Sequence, residues 1–484
     1  MSFYLAIDLG TTGCRSILFD NKLNKLASSY EEYGLITSKE DYIEQDARLW
    51  WQLTLKTSKE AIKKSGINSE DIDGISISSQ GITLVPVNKN VEPLYNAISW
   101  LDMRAHEQVN KIDTDFGADF IFKHTGKSLL GAYTLPKLIW VKENLPEIYE
   151  SAHKFLMPLD YLTAKFTGRF VTDYSMATGT LMYDIKNQCW SDIILDKYGI
   201  SKELLPEVLS AGTAVGYVVP EVANELGLKS TCTVALGAQD QKCAAYGVGL
   251  KDGVMTISIG TAAAVTKLWR EYKADKNTGI GWCGYIDKDM YVTEGVIGTA
   301  GTCLRWVRDM FFKSEDYMVI DREAEIQLVK YSEKPLLFYP FMSGESITTF
   351  YPEATGNFYG INLSTVRGDF ALAVMQSIAY QLRTILEAME AYGNIHTLII
   401  FGGAAKSSLW CQIIADITGM EVFVPTCFEA ASAGAARLAA IGCGKDTGSL
   451  KCAGSYKPCS ELREYYDKIF ENYQRIEKNI WEVK

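Results

Sequence analysis

At 484 residues the chain is too long for one hydrophobic core and predicts about two to four domains. Hydrophobic residues make up 47%, charged residues 22%, and the net charge is −11 with no basic block. This is an ordinary globular composition, which argues against nucleic acid or an anionic membrane as a main partner. From the N-terminus, Tyr4–Leu9, Cys14–Phe19 and roughly Lys25–Tyr33 read as three strands, with Asp20–Asn24 as the second turn. Asp46 reads as the N-cap of a helix running to about Ser65 and closed by Gly66. A strand over Gly74–Ser78 then ends at Ser79-Gln80-Gly81.

Residues 104–235 carry further helices and few strong strands, and read as decoration of the first half. The second half restarts the pattern with strands at Gly253–Ile259, Ala263–Leu268 and Met290–Thr293. A helix from about Asp369 to Tyr392 leads to a buried strand, Thr397–Phe401, then to Gly402-Gly403-Ala404-Ala405 and a helix through Trp410. The small-residue run from Ala430 to Gly444 reads as a packed helix. Such an alternation is an α/β layer pattern, and the stretch Gly247–Gly253 reads as a hinge that divides the chain into halves 1–248 and 249–484.

The eleven cysteines are scattered without a CxxC pair, and an odd count in a long chain reads as reduced thiols in a cytoplasm. The four histidines (His106, His124, His153, His396) lie too far apart for a sequence-local metal motif. Asp8 already sits in the first strand, so no signal peptide is read, nor is there an apolar run of the ~20 residues a membrane helix needs. The expectation is a soluble, cytoplasmic protein.

Residues 6–20, AIDLGTTGCRSILFD, repeat as residues 256–270, TISIGTAAAVTKLWR. At a constant offset Ile7 meets Ile257, Gly10 meets Gly260, Thr11 meets Thr261 and Leu18 meets Leu268. Each copy is a hairpin around a Gly-Thr turn whose amides and hydroxyls can converge on an anion. Two copies suggest a phosphate chain held between two related halves. In the first, Asp8 could hold a hydrated divalent cation beside phosphates; in the second, Ser258 replaces it. Nothing matches GxxxxGK[ST], so this is no P-loop. The Gly402-Gly403 turn after an apolar strand would let a flat adenosine approach the backbone.

Asp240 closes the strand-like stretch TVALGAQDQ and opens a helix. It could accept a proton from an alcohol attacking a phosphoryl group, or simply cap the helix; local sequence does not choose between Asp240 and Asp8 as the base. Gln80, Trp100, Asp102 and Arg104 could bind polyol hydroxyls, and read equally well as surface loop residues.

On these residues the chain resembles the FGGY carbohydrate kinases, ATP-dependent sugar kinases on a duplicated ribonuclease-H-like (actin-like ATPase) fold. DLGTTGCR resembles that family's first phosphate loop, SIGTA the second, FGGAAKSSLW the adenosine motif and GAQDQKCAAYGVG the catalytic stretch. One family signature is echoed from Thr134 to Asn144, with Ala132 departing from it. The other runs from Gly356 to Ile361 and on through Asp369, Phe370 and Ala373 to Gln376. EQDARLWW, from Glu44, and Ser343-Gly344-Glu345 are further echoes.

The resemblance implies ATP and Mg2+ as cofactors, a small sugar or polyol as substrate, and a nucleotide and sugar cleft between two domains. It implies Asp240 as general base and Asp8 as holder of Mg2+ through water. The phosphates would lie against Gly10, Thr11, Thr12, Gly13, Arg15, Gly260 and Thr261, and the base and adenosine against Gly301, Gly402, Gly403 and Ala404. Gln80, Gly81, Trp100, Asp102, Arg104, Asp240 and Gln241 would surround the sugar. A homodimer fits the family, though no interface is legible. Within it the xylulokinases look closest in layout, which suggests D-xylulose. Their usual Met-His, however, is here Gly81-Ile82, and Gln241 replaces a frequent Asn. Another ketopentose or polyol (ribulose, erythritol, glycerol) remains open, as does an actin-like ATPase without an acceptor.

Overall fold

The computed structural model describes residues 2–274, 280–342, 353–390, 393–427 and 429–481. Ser343-Gly344-Glu345 and the predicted helix end at Tyr392 lie outside them. In the first half, β1 (Phe3–Leu9), β2 (Gly13–Asp20), β3 (Lys25–Glu32), β4 (Ile72–Ser79), β5 (Ala214–Tyr217) and β6 (Thr233–Gln239) form one sheet in the order β5-β6-β4-β1-β2-β3. β1, β2 and β3 are an antiparallel meander, β4 and β6 run parallel to β1, and β5 closes the edge antiparallel.

The second sheet repeats this plan. It holds β7 (Val254–Ile259), β8 (Ala263–Trp269), β9 (Gly281–Gly284), β10 (Tyr291–Ile297), β11 (Thr397–Gly402), β12 (Glu421–Pro425) and β13 (Cys452–Tyr456), in the order β9-β10-β8-β7-β11-β12-β13. β7, β8 and β10 are the antiparallel meander, β11 and β12 run parallel to β7, and β13 is the antiparallel edge. The extra hairpin strand β9 pairs with β10. This is the duplicated α/β architecture that the repeated turns imply.

Alternation along β1 feeds two cores, because successive side chains point to opposite faces. Leu5, Ile7 and Leu9 pack with Trp50 of α1 (Ala47–Ser65), whose N-cap is Asp46 and whose C-cap is the left-handed Gly66. Tyr4 and Ala6 face the other way, into a cluster with Leu268 and Val292 of the second sheet. Filling that cluster are α2 (Asp240–Val248) and, from the far end of the chain, α6 (Ala430–Gly442). Between them in sequence lie α3 (Gly301–Phe311), α4 (Arg367–Glu390) and α5 (Ser408–Thr418). Among the described residues no helix is long and apolar enough to cross a membrane.

The small-residue run that sequence reading marked as a packed helix has a specific reason to be small. A Cβ on Gly434 of α6 would lie 1.8 Å from the Cys243 carbonyl oxygen of α2, and one on Gly247 would lie 2.4 Å from the Ala430 carbonyl. The helices therefore touch backbone to backbone. Gly434→Ala is expected to destabilise the protein by at least the ~1–3 kcal/mol of core overpacking, read as a lower urea midpoint with unchanged m.

Candidate active site

The first phosphate turn joins β1 to β2. Asp8, half-buried near the end of β1, accepts a hydrogen bond from Ser78 Oγ at 2.9 Å and faces Arg15 across the hairpin. Burial raises its pKa, while the Ser78 hydrogen bond and the Arg15 charge pull it back. Arg15 lies over the Tyr30 ring, 5.1 Å from its centroid. The Gly10 amide, expected to face phosphate, donates to the Gly13 carbonyl at 2.9 Å, and the Gly260 amide donates to the Ala262 carbonyl at 2.9 Å. These two N–H groups close their own turns. The donors left for an anion are those between, with the hydroxyls of Thr11, Thr12 and Thr261.

Around the second turn opens a cavity of about 650 Å³ lined by Gly260, Thr261, Gly301, Gly403 and Ala404, together with Arg305, Tyr317, Asp321, Lys406 and Trp410. The Gly301 amide at the start of α3 donates to the Gly260 carbonyl at 2.9 Å, and a Cβ there would lie 2.2 Å from that oxygen. Gly301 is thus a glycine because α3 must begin against the turn. Gly402 does not line the cavity; with φ of 89° and an added Cβ 2.7 Å from the Ile259 carbonyl, it turns β11 past β7. Gly403 and Ala404 then form the floor, and Ser407 caps α5 through the Trp410 amide.

A second cavity, of about 420 Å³, lies where α2 begins. Gln80, Gly81, Trp100, Asp240 and Gln241, read from sequence as surrounding a sugar, line it together with Thr11 of the first phosphate turn. Trp100 Nε1 donates to Thr11 Oγ1 at 3.0 Å, tying this cavity to the first phosphate turn. Gln80 Nε2 donates to Gln45 Oε1 at 3.0 Å, and Gln45 donates to the Thr11 carbonyl at 2.6 Å. The carboxamide oxygens of Gln80 and Gln239 are buried without a hydrogen-bond partner among the described residues. Acceptors left open beside a polar cavity suit a ligand that brings hydroxyl donors.

Asp240 is the first residue of α2. Its Oδ1 accepts the Gln241 amide at 2.6 Å and the Gln239 side-chain amide. Burial first, and the nearby charge of Asp8 second, push its pKa up to about 7, against the pull of the Gln241 amide and Lys242. A carboxylate poised there can exchange a proton at neutral pH, which is the property a general base needs.

Asp102 and Arg104 do not line the cavity, which corrects the expectation that they surround the sugar. Arg104 Nη2 pairs with Asp102 and Glu44, both at 2.7 Å, and its guanidinium lies 3.9 Å from the Tyr42 ring centroid and 4.9 Å from that of Trp140. Asp102 also accepts the Ile43 amide at 2.6 Å. The pair is buried and spent on holding the loop that carries Trp100. Sequence reading missed the opposite wall, Lys127, Tyr133, Ser175, Met176, Gly179, Lys242, Cys283 and Glu294. Lys242 and Lys127 of the first half meet Glu294 of β10 at 2.5 and 3.3 Å. Burial opposes the Glu294 charge, but the two ammonium groups outweigh it and hold its carboxyl well below the usual range. The one sequence signal was a glutamate in an otherwise β-rich strand, Tyr291–Ile297.

Comparison with known proteins gives the family of the chain. The model of the FGGY family of carbohydrate kinases, N-terminal domain, matches residues 3–247, and that of the C-terminal domain matches residues 255–443. A xylulose kinase of Bacillus subtilis is 32% identical over 485 aligned positions, covering 98% of this chain and 97% of the relative. A glycerol kinase of Mycoplasma pneumoniae is 30% identical, covering 93% and 91%. The ligand-bound xylulose kinase structure from Lactobacillus acidophilus superposes with a TM-score of 0.91 at 25% identity, covering 100% and 99% of the two chains. With two domain models matching in sequence order across both sheets, the chain belongs to the FGGY family of carbohydrate kinases.

Proposed function

We propose that the chain transfers the γ-phosphoryl group of ATP to a hydroxyl of D-xylulose, giving D-xylulose 5-phosphate and ADP. The observation that carries this reading is Asp240, a carboxylate with a pKa near 7 at the junction of a polyol-sized cavity and the first phosphate turn. The xylulose kinases among the relatives support the choice of sugar, and the glycerol kinase keeps the wider class of ketopentoses and polyols in view. A separate acceptor cavity beside Asp240 favours this over an ATPase that has no acceptor.

In this reading the acceptor oxygen forms a bond to the γ-phosphorus as the bond to the ADP oxygen breaks, and the hydroxyl proton passes to Asp240. The hydroxyls of Thr11, Thr12 and Thr261 and the free amides of the two turns hold the transferred group by many modest donors, which suits a reaction governed by alignment and electrostatics. Asp8, half-buried and oriented by Ser78, would hold a hydrated Mg2+, whose chemistry when bound is to neutralise charge on the β- and γ-phosphates. Eleven free thiols support a reducing, cytoplasmic setting.

Asp240→Asn is expected to lower kcat by about 10²–10⁴-fold in a coupled ADP-release assay, with the sugar KM changed only a few-fold. Because the working form of Asp240 is ionised, kcat/KM for the sugar should rise with pH up to about 7 and level off above it. A profile flat from pH 5 to 8 would rule out Asp240 as the base. Arg104→Ala should strand two buried carboxylates and cost about 3–5 kcal/mol in denaturant unfolding.

A further inference from the structure

The signature stretch from Gly356 to Gln376 supplies no residue to the acceptor cavity or to the cavity around the second phosphate turn. It lines a third cavity instead, of about 200 Å³, through Gly360, Asp369, Ala373 and Gln376. Asp369, Leu372, Ala373 and Gln376 stand at i, i+3, i+4 and i+7, so one face of α4 makes a wall. Lys330, Ser332 and Lys334, in the turn after the helix Tyr317–Leu328, make another. The cavity is smaller than the acceptor cavity of about 420 Å³, which suits a small metabolite and not a nucleotide.

Both walls are held in place. Tyr465 Oη donates to the Ser332 carbonyl at 3.0 Å, fixing the turn that carries the two lysines. Asp369 Oδ2 accepts the Val366 amide at 2.8 Å, and Thr365 Oγ1 accepts the Asn362 amide at 3.0 Å. Gln376 is 3% exposed, and its carboxamide oxygen has no hydrogen-bond partner among the described residues. A buried acceptor left open beside a cavity suits a ligand hydroxyl, as does the remaining lone-pair capacity of the Asp369 carboxylate. The two ammonium groups suit a phosphate, which carries about two negative charges at neutral pH.

The same two helices also border the cavity around the second phosphate turn. Tyr317, Met318 and Asp321 line that cavity, and Gln327 and Leu328 of the same helix line this one. On α4, the Met375 carbonyl beside Gln376 accepts Trp410 Nε1 at 3.1 Å, and Trp410 lines that other cavity. A ligand that shifts or stiffens either helix therefore changes the free energy of binding at both cavities.

We propose that this third cavity is an effector site for a small sugar phosphate, held by Lys330 and Lys334 at its phosphate and by Asp369 and Gln376 at its hydroxyls. Its occupancy alters nucleotide affinity. The inference goes beyond the kinase reading: the binding stands whether or not the chain phosphorylates a sugar, and the coupling needs only that it binds nucleotide.

The test titrates the full-length chain, saturated with ADP and D-xylulose, in a calorimeter. The ligands are D-ribose 5-phosphate, D-fructose 6-phosphate, D-glyceraldehyde 3-phosphate and inorganic phosphate. At least one sugar phosphate should bind once per chain with a Kd below about 1 mM, and more tightly than inorganic phosphate. Lys330→Ala combined with Lys334→Ala removes two exposed charges and leaves the core untouched; it should weaken that binding at least about tenfold. Gln376→Met should weaken it as well, and Asp240→Asn should not. In the native chain the bound sugar phosphate should shift the Kd for ADP at least about fivefold, and in the double lysine variant it should leave it unchanged. The site is overturned if none of the three sugar phosphates binds, if inorganic phosphate binds equally well, or if binding survives the lysine changes. An ADP Kd that does not move in the native chain overturns the effector role. A chain that binds the sugar phosphate but phosphorylates no acceptor keeps this inference and loses the kinase reading.

Discussion

The backbone contact between α2 and α6 at Gly247 and Gly434 is the constraint on which the site depends. α2 carries Asp240 at its first residue, and α6 comes from the far end of the chain to pack against it and against β1, β4 and β6 of the first sheet. Tyr4, Ala6, Ile17 and Phe19 close over this helix pair from the first sheet, and Leu268 and Val292 from the second. Asp240, Asp8 and the two phosphate turns are thereby fixed relative to one another by a single buried cluster. A misplacement of about 1 Å between reacting groups can cost about 10²-fold in rate, so this stiffness has a catalytic meaning.

Charge is the second constraint. Asp8, Asp240 and Glu294 are acidic groups gathered in one region of low solvent access, and they repel one another. The structure resolves this unevenly. Glu294 has two lysines, Lys127 and Lys242, and stays ionised. Asp8 has Arg15 across the hairpin and Ser78 beneath it. Asp240 accepts two amide N–H bonds but has no salt-bridge partner among the described residues, and burial and the charge of Asp8 push it up to about 7. Pushing neighbouring carboxylates apart in pKa is a general way of assigning one of them to proton transfer.

The two turns, the strand pairs around them and the helix from Ala47 to Ser65 were legible because their signals are local: a glycine-threonine turn, an aspartate cap, a glycine stop. Asp240 was legible as a candidate because a strand running into a helix-opening acid is also a local pattern. Asp102 and Arg104 were misread for the opposite reason. Their partners Glu44, Tyr42 and Trp140 lie far away in sequence, and nothing adjacent distinguishes a buried guanidinium from a ligand-binding one. Lys127, Lys242 and Glu294 escaped notice likewise, since three separate segments bring them together. The Gly10 and Gly260 amides show a finer limit: a glycine motif marks an anion-binding turn without saying which N–H closes the turn and which is free.

Phosphoryl transfer to a sugar hydroxyl is the central claim, and the identity of the phosphorus-containing product tests it most directly. Phosphorus NMR of the chain incubated with ATP, Mg2+ and D-xylulose should show a sugar phosphomonoester appearing in equal amount with ADP and no growth of inorganic phosphate. Inorganic phosphate accumulating at the same rate with and without sugar, and no phosphomonoester, would contradict the account and identify an ATPase.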